Sequence, residues 1–148
     1  MGLSVRDDPK HVVDVSGRTW GKPVNGMALS VLEASKVESD DLITVTVAIH
    51  NQSADPQTLH THGWLHFLQV AVIGPDGVQA TLTPYGGELM KPERQPALGP
   101  VTLGPGEATE ADIPIGSIYK MSRGAYNVQA SAQLTDGTAV SNEIRVTV

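Results

Sequence analysis

The stretch that decides the fold is residues 42–50, LITVTVAIH, in which two sets of side chains alternate. Ile43, Val45, Val47 and Ile49 fall on one side of an extended chain, and the residues between them fall on the other. A period of two residues is typical of a β-strand with one face toward the core and one toward solvent. This stretch therefore predicts a half-buried strand.

The same period returns near the C-terminus, where the apolar positions are Tyr126, Val128, Ala130, Ala132 and Leu134. Turn sequences such as Asn25-Gly26 and Asp136-Gly137 separate the alternating stretches, and Asp-Gly suits tight hairpins. We predict hairpins over 70–82 and 126–148. The full set of predicted strands is 11–15, 27–35, 42–51, 65–73, 78–84, 109–115, 124–134 and 139–148.

These patterns predict an all-β fold of about eight strands. The favoured architecture is a two-layer antiparallel β-sandwich of immunoglobulin-like type, and a closed barrel is the alternative. With 148 residues and no break in composition, the chain is expected to form a single domain over 1–148, in which 1–10 are a flexible N-terminal tail. Residues 88–100, with three prolines, are expected to form a long loop.

The charge, the hydropathy and the cysteine content of the chain exclude several classes of partner and site. Ten Lys and Arg residues against 16 Asp and Glu residues give a formal net charge of -6, which argues against nucleic acid as a partner. The chain has no run of apolar residues long enough for a membrane span or a signal peptide. Because it has no cysteine, disulfides and thiolate metal sites are excluded. The lack of cysteine leans slightly towards an exported protein.

Several pieces of the second half resemble the immunoglobulin-like sandwich modules of bacterial secreted and surface proteins. They are residues 103–107 (LGPGE), 124–126 (GAY), Asp136-Gly137, and Ser141-Asn142 followed by 144–148 (IRVTV). The resemblance implies a β-sandwich that is secreted, periplasmic or on the cell surface, and it implies that Tyr126 forms a tyrosine corner with its ring buried and its hydroxyl bonded to nearby backbone.

Residues 84–87 (PYGG) and 90–92 (MKP) are similar to parts of the sandwich that accompanies deuterolysin-type metalloproteases. The functions of such sandwiches range from adhesion to accessory roles beside enzymes. These resemblances therefore imply a fold more directly than an activity.

The one concentrated set of reactive side chains is histidine. His60 and His62 are two residues apart, so both rings leave the same face of a strand, and copper and zinc are the metals that imidazoles bind well. His66 joins them only if the backbone bends at Gly63, and His50 joins only if the intervening loop brings it into register. The simpler interpretation, which we favour, is that these histidines are exposed at a strand entrance.

Motifs for nucleophilic catalysis and phosphate binding are absent from the sequence. Asn51-Gln52-Ser53 fits the glycosylation pattern, which is common by chance. No catalytic residue and no cofactor are therefore predicted.

Three hypotheses follow. The first is a non-catalytic module that binds a protein or a glycan, or spaces other domains, with loops 52–63 and 86–100 as its contact surfaces. The second is a copper or zinc protein that uses His60 and His62 with His66 or His50. The third is a protease inhibitor or propeptide-like accessory domain. Exposed edge strands make a dimer conceivable in each case.

Overall fold

The computed structural model describes residues 4–6, 17–33, 43–59, 68–89, 101–134 and 137–148. The described residues form nine strands and two short helices. The strands are β1 (Ser4–Arg6), β2 (Met27–Glu33), β3 (Val45–Asn51), β4 (Gln57–Leu59), β5 (Leu68–Ile73), β6 (Val101–Leu103), β7 (Ala108–Ile113), β8 (Ala125–Leu134) and β9 (Gly137–Thr147). The helices are α1 (Pro84–Leu89) and α2 (Ile115–Ile118).

Every pairing within the three sheets is antiparallel. Sheet A has the strand order β1-β7-β3-β2, sheet B is β4-β6, and sheet C is β5-β8-β9. Buried side chains of all three sheets and of α2 form one core cluster, which is aliphatic except for Tyr119 and Tyr126 among the described residues. The prediction of an all-β, antiparallel, immunoglobulin-like sandwich is confirmed.

The C-terminal hairpin is formed as predicted. Strand β8 pairs with β9 from Ala125 opposite Thr147 to Leu134 opposite Gly137. Tyr126, Val128, Ala130 and Ala132 are buried, and the residues between them are more exposed. The two-residue period in the sequence thus reports the two faces of sheet C correctly.

Strand β3 differs from the prediction of one wet face. Thr46 and Ala48, on the side expected to face solvent, are 5% and 0% exposed. They are buried because β3 is a central strand whose outer side is also covered. The alternation of residue types indicated a strand correctly, but it gave the wrong exposure for this face.

The predicted strand over 78–84 is not formed. Gln79 and Leu82 make only isolated bridges, to Ile73 and Tyr119, so the predicted hairpin over 70–82 is reduced to a turn with a short return along β5. Gly77 has a φ of 77°, which suits the turn. The Gln79 side chain explains part of this difference, because its Oε1 accepts the Val72 amide at 3.0 Å where a paired strand would present a carbonyl.

Short elements also occupy stretches that were expected to be tail or loop. Ser4–Arg6, within the expected N-terminal tail, form β1 against β7. β4 and β6 lie in regions without an alternating pattern, and α1 begins within the predicted strand over 78–84 and overlaps the start of the long loop. The predicted strand over 11–15 lies outside the described residues.

A β-bulge interrupts the pairing of β8 with β9. Gln129 lies opposite Glu143 and Ser131 lies opposite Val140, so Ser141 and Asn142 together face Ala130. The Ser141 hydroxyl accepts the Ala130 amide at 2.9 Å, which satisfies a group that the bulge removes from the regular ladder. The extra residue turns the side chain of Asn142 away from sheet C and towards β2.

Candidate functional site

His50 is the one member of the predicted histidine site that the structure describes. It lies near the end of β3, opposite Ala28 of β2 and Ala108 of β7. Its ring packs against Trp20 with 5.2 Å between centroids, and its Nδ1 is 3.4 Å from the Gln52 amide nitrogen. Within the described part of the chain, no group of three or more His, Asp or Glu side chains is placed to hold a metal ion.

His60, His62 and His66 lie outside the described residues. They belong to the connection between β4, which ends at Leu59, and β5, which begins at Leu68. The structure therefore does not test whether they meet each other or His50. The copper or zinc site stays a prediction.

The outer side of sheet A is covered by residues 17–21, which precede β2. Arg18 donates a hydrogen bond to Glu110 of β7 at 2.9 Å, and both side chains are largely buried. Next along the segment, Trp20 lies on His50, and the Gly21 amide donates to the Leu29 carbonyl at 2.9 Å. The outer-facing residues Ala28, Ser30 and Ala48, which the strand registers place beside His50 and Glu110, are at most 1% exposed.

Asn51 organises the loop that follows β3. It is fully buried, and its two amide hydrogens are donated to the carbonyls of Asp55 and Leu103, both at 2.9 Å. Its Oδ1 accepts the Ser53 amide and hydroxyl. Because both donors of this amide are used inside the fold, the glycosylation pattern at Asn51 is a structural feature of the loop.

The two loops predicted as contact surfaces are described only at their beginnings. In residues 52–59, the bonds to Asn51 and strand β4 fix the backbone. Residues 84–89 form α1, which Thr83 caps by accepting the Gly86 amide at 2.9 Å. The remainder of both loops, 60–63 and 90–100, lies outside the described residues, so their role as contact surfaces stays a prediction.

Tyr126 has the tyrosine-corner geometry that the resemblance implied. Its ring is buried, and its hydroxyl accepts the backbone amide of Ser122 at 2.8 Å. Tyr119, which is also buried, donates its hydroxyl to the Val70 carbonyl of β5 at 3.3 Å. Desolvation by burial raises the pKa of Tyr119 above its usual value. Both tyrosines therefore serve the packing of sheet C.

The outer side of sheet C contrasts with the covered outer side of sheet A. We call it the open face, and its residues are each exposed or partly exposed. The strand registers place them in rows across the sheet. They are Gln69, Ala71 and Ile73 of β5; Ala125, Asn127, Gln129, Ser131 and Gln133 of β8; and Thr138, Val140, Glu143, Arg145 and Thr147 of β9.

The open face has a distinctive composition. Glu143 and Arg145 are its charged members, and they cancel. Amides, hydroxyls and small or β-branched aliphatic side chains make up the rest. The sequence signal for it was visible in 126–134, where Asn, Gln and Ser alternate with the core residues, but a polar face alone did not separate a binding surface from an ordinary solvated one.

Comparison with protein-family models and with curated proteins finds no match. Among solved structures, the chain is similar to the GAE domain of GGA2p from Saccharomyces cerevisiae, with 12% identity and a TM-score of 0.34, over 89% of this chain and 96% of that one. It is also similar to the yeast GGA1 GAE domain, with 11% identity and a TM-score of 0.32, over 88% and 99%. At this identity and TM-score the likenesses do not establish a family. The strand order and register of this chain define its fold.

Neither helix among the described residues has the length and apolar character to cross a bilayer.

Proposed function

We propose that this protein is a non-catalytic binding module and that the open face of sheet C is its contact surface. The observation that supports this is the contrast between the two sheets. On the outer side of sheet A, Arg18 bonds to Glu110 and Trp20 packs on His50, and Ala28 and Ala48 beside these contacts are 0% exposed. On sheet C, Ala71 and Gln69 stand exposed on the corresponding side.

The buried polar side chains support a structural use of the interior rather than a reaction centre. The Asn51 amide donates to the carbonyls of Asp55 and Leu103. The Ser141 hydroxyl accepts from the Ala130 amide and donates to the Asn142 carbonyl within the bulge. Thr46 donates its hydroxyl to Asp112 across two strands at 2.7 Å. Each of these groups forms hydrogen bonds that hold the backbone or a neighbouring side chain in place.

Rigid support also favours this surface. Strand β8 lies between β5 and β9, so its backbone is held by hydrogen-bond ladders on both sides. Gln129 is further fixed because its amide donates to the Ser141 carbonyl at 3.0 Å. A surface carried on a rigid backbone loses less conformational entropy when a ligand binds.

The cellular setting is part of the same proposal. We propose an extracytoplasmic protein of bacterial type, supported by the resemblance of residues 103–107 and 124–126 to secreted sandwich modules. The role of a protease inhibitor or propeptide-like accessory stays an alternative prediction, and an inhibition assay against metalloproteases and serine proteases tests it.

The chain offers a clean way to test the contact surface because it has no cysteine of its own. Ala71→Cys on the open face and Ala54→Cys in the loop after β3 each give one labelling position at an exposed alanine. Both variants carry an environment-sensitive fluorophore. They are titrated with a panel of neutral polysaccharides, acidic polysaccharides and extended peptides.

We expect at least one member of the panel to change the emission of the label on Ala71→Cys while the label on Ala54→Cys does not respond. A ligand that perturbs only the label on Ala54→Cys would place the contact surface on the loops. If no member of the panel binds, the proposed function is rejected for these three ligand classes.

A further inference from the structure

We infer that the free edge of strand β9 over residues 143–147 is a self-association site, where a second copy of this chain pairs antiparallel about a two-fold axis at Ile144. The charges of Glu143 and Arg145 identify the occupant, because they complement each other across that axis. The dimer leaves the open face of both copies exposed, so it is independent of the ligand proposed for that face.

Strand β9 is an edge strand of sheet C, and in its second half every other residue turns its backbone groups away from the sheet. Gly124 and Val148 exchange both of their N–H···O bonds, at 3.2 and 2.9 Å. Hydrogen-bonded and non-hydrogen-bonded pairs alternate along the ladder between β8 and β9. The residues whose N–H and C=O groups face outward are therefore Glu143, Arg145 and Thr147.

Two other sheet edges are covered by the chain itself. Along β2, outward-facing backbone groups bond to Val24, to Gly21 and to the Asn142 side chain. Along β5, they bond to the Gln79 side chain and the Tyr119 hydroxyl. In the described part of the chain, the outer side of residues 143–147 has no such strand or side chain bonded to it. An uncovered edge of this kind is a template for another strand.

The charges on this edge are complementary to themselves. With the two-fold axis at Ile144, Glu143 lies opposite Arg145 of the second copy, and Arg145 lies opposite Glu143 of the second copy. Both side chains are exposed on the same face of β9, and neither forms an ion pair within the described ranges. Directly opposed residues bring their Cβ atoms about 5.5 Å apart, so each carboxylate can meet a guanidinium.

Other registers of the same edge lose this match. An axis at Glu143 sets two carboxylates against each other, and an axis at Arg145 sets two guanidinium groups against each other. An axis at Val146 places Arg145 opposite Thr147 and leaves the carboxylates unpaired. Backbone bonding permits each of these registers, because each pairs outward-facing residues with one another. The order of the two charges therefore selects the axis at Ile144.

Pairing in this register joins the two copies of sheet C into one continuous sheet in which β9 lies beside β9. The same edge serves both copies, so the assembly closes at a dimer. The bulge at Ser141 and Asn142, which is tied to β2, ends the contact on one side. Because the contact is confined to one short edge, we expect a weak dimer that is populated at high protein concentration.

The test measures self-association by sedimentation equilibrium as the protein concentration is raised. Glu143→Lys and Arg145→Glu each turn two attractive pairs into repulsive ones, so each should self-associate about tenfold or more weakly than the wild type. Glu143→Lys/Arg145→Glu restores the match with its signs reversed and should dimerise as the wild type does. Gln69→Lys, which adds a charge on β5 at the opposite edge of sheet C, is the control and should also match the wild type.

Mixing the two single variants tests the register directly. Glu143→Lys presents a cation at both positions, and Arg145→Glu presents a carboxylate at both, so each should pair with the other in preference to itself. We expect an equimolar mixture to form a heterodimer from chains that are monomeric when kept apart. This outcome requires residue 143 of one copy to lie opposite residue 145 of the other.

An engineered disulfide locates the axis. The chain has no cysteine, so Ile144→Cys gives a single thiol, which the axis places opposite the same thiol of the second copy. Residues opposed in a non-hydrogen-bonded pair have Cα atoms about 4.5 Å apart, which a disulfide can span. We expect Ile144→Cys to cross-link on mild oxidation, and Thr138→Cys, at an exposed position beyond the bulge, to remain monomeric.

Circular dichroism and thermal unfolding confirm that each variant is folded before its association is measured. A wild type that stays monomeric at every concentration overturns the inference. The same conclusion follows if the single charge variants dimerise like the wild type, or if neither the double variant nor the mixture recovers association. Cross-linking of Thr138→Cys as fast as that of Ile144→Cys would place the contact elsewhere on the molecule.

Discussion

The side chain of Asn142 takes the place of a neighbouring strand for Val31. The Val31 amide donates to Asn142 Oδ1 at 2.8 Å, and Asn142 Nδ2 donates back to the Val31 carbonyl at 3.0 Å. Val31 lies in β2 at the edge of sheet A, and Asn142 lies in the bulge of β9 at the edge of sheet C. One amide therefore joins the two sheets and blocks part of an edge that would otherwise offer pairing groups.

The hydrogen bonds between Asn142 and Val31 predict that substituting Asn142 lowers the stability of the fold. Asn142→Ala leaves both Val31 groups without these partners, and we expect the free energy of unfolding to fall by about 1–3 kcal/mol. Asn142→Asp keeps an acceptor but sets a carboxylate against the carbonyl, so it should also destabilise. Urea denaturation measures both. Asn127→Ala on the open face is the control, with an expected change within about 0.5 kcal/mol.

Gly21 predicts a steric effect. A Cβ added there would lie 1.8 Å from the Val140 carbonyl oxygen, so Gly21→Ala must push residues 17–21 away from β9. We expect a loss of about 1–3 kcal/mol in thermal unfolding. Gly87→Ala in α1 meets nothing within 4 Å, and by helix propensity it should raise stability by about 0.5–1 kcal/mol. Equal effects of the two substitutions would contradict this packing.

The ion pair between Arg18 and Glu110 predicts that removing one partner destabilises the fold more than removing both. The two side chains are 13% and 5% exposed, so Arg18→Met removes the guanidinium that bonds to the buried Glu110 carboxylate, at a cost of up to about 3 kcal/mol. Arg18→Met/Glu110→Leu removes both charges and should recover most of that loss. A double variant as unstable as the sum of the single variants would show that the pair is not coupled.

Tyr119 predicts a loss of stability in alkali. Burial raises its pKa in the folded state above the unfolded value, so the folded state retains the phenolic proton more strongly. Its contribution is complete below the unfolded pKa, near 10, and is lost as pH rises through the folded pKa. The free energy of unfolding, measured from pH 8 to 11.5, should fall more steeply with rising pH for the wild type than for Tyr119→Phe. Parallel curves would contradict the assignment.

The histidine site has its own experiment. If His60 and His62 hold copper or zinc, calorimetric titration of the wild type should give binding that His60→Ala/His62→Ala abolishes. The single variant His50→Ala then reports whether the histidine that packs on Trp20 is a third ligand. Equally weak heats from the wild type and the double variant would dispose of the site.

The local patterns of this chain determined its strands where one side of a strand meets the core and the other meets water. In β8 the apolar and polar residues alternate because burial does, and Asn25-Gly26 marks a two-residue turn where both residues have positive φ, 50° and 79°. Tyr126 was likewise placed correctly by its resemblance to the tyrosine corner. Side-chain chemistry and backbone preference act here over a few residues, so they can be inferred without the rest of the molecule.

Contacts between residues distant in sequence settled what local patterns could not. Ala48 is buried beside the Arg18–Glu110 ion pair, Thr46 is buried where it bonds to Asp112, and Gln79 replaces a strand by bonding to Val72. The open face is a site candidate because the outer-facing residues of sheet A are buried, whereas those of sheet C are exposed or partly exposed. Burial depends on which segments pack together, whereas a two-residue period records only which side chains share a face. The tertiary structure therefore decided which polar face remained available to a partner.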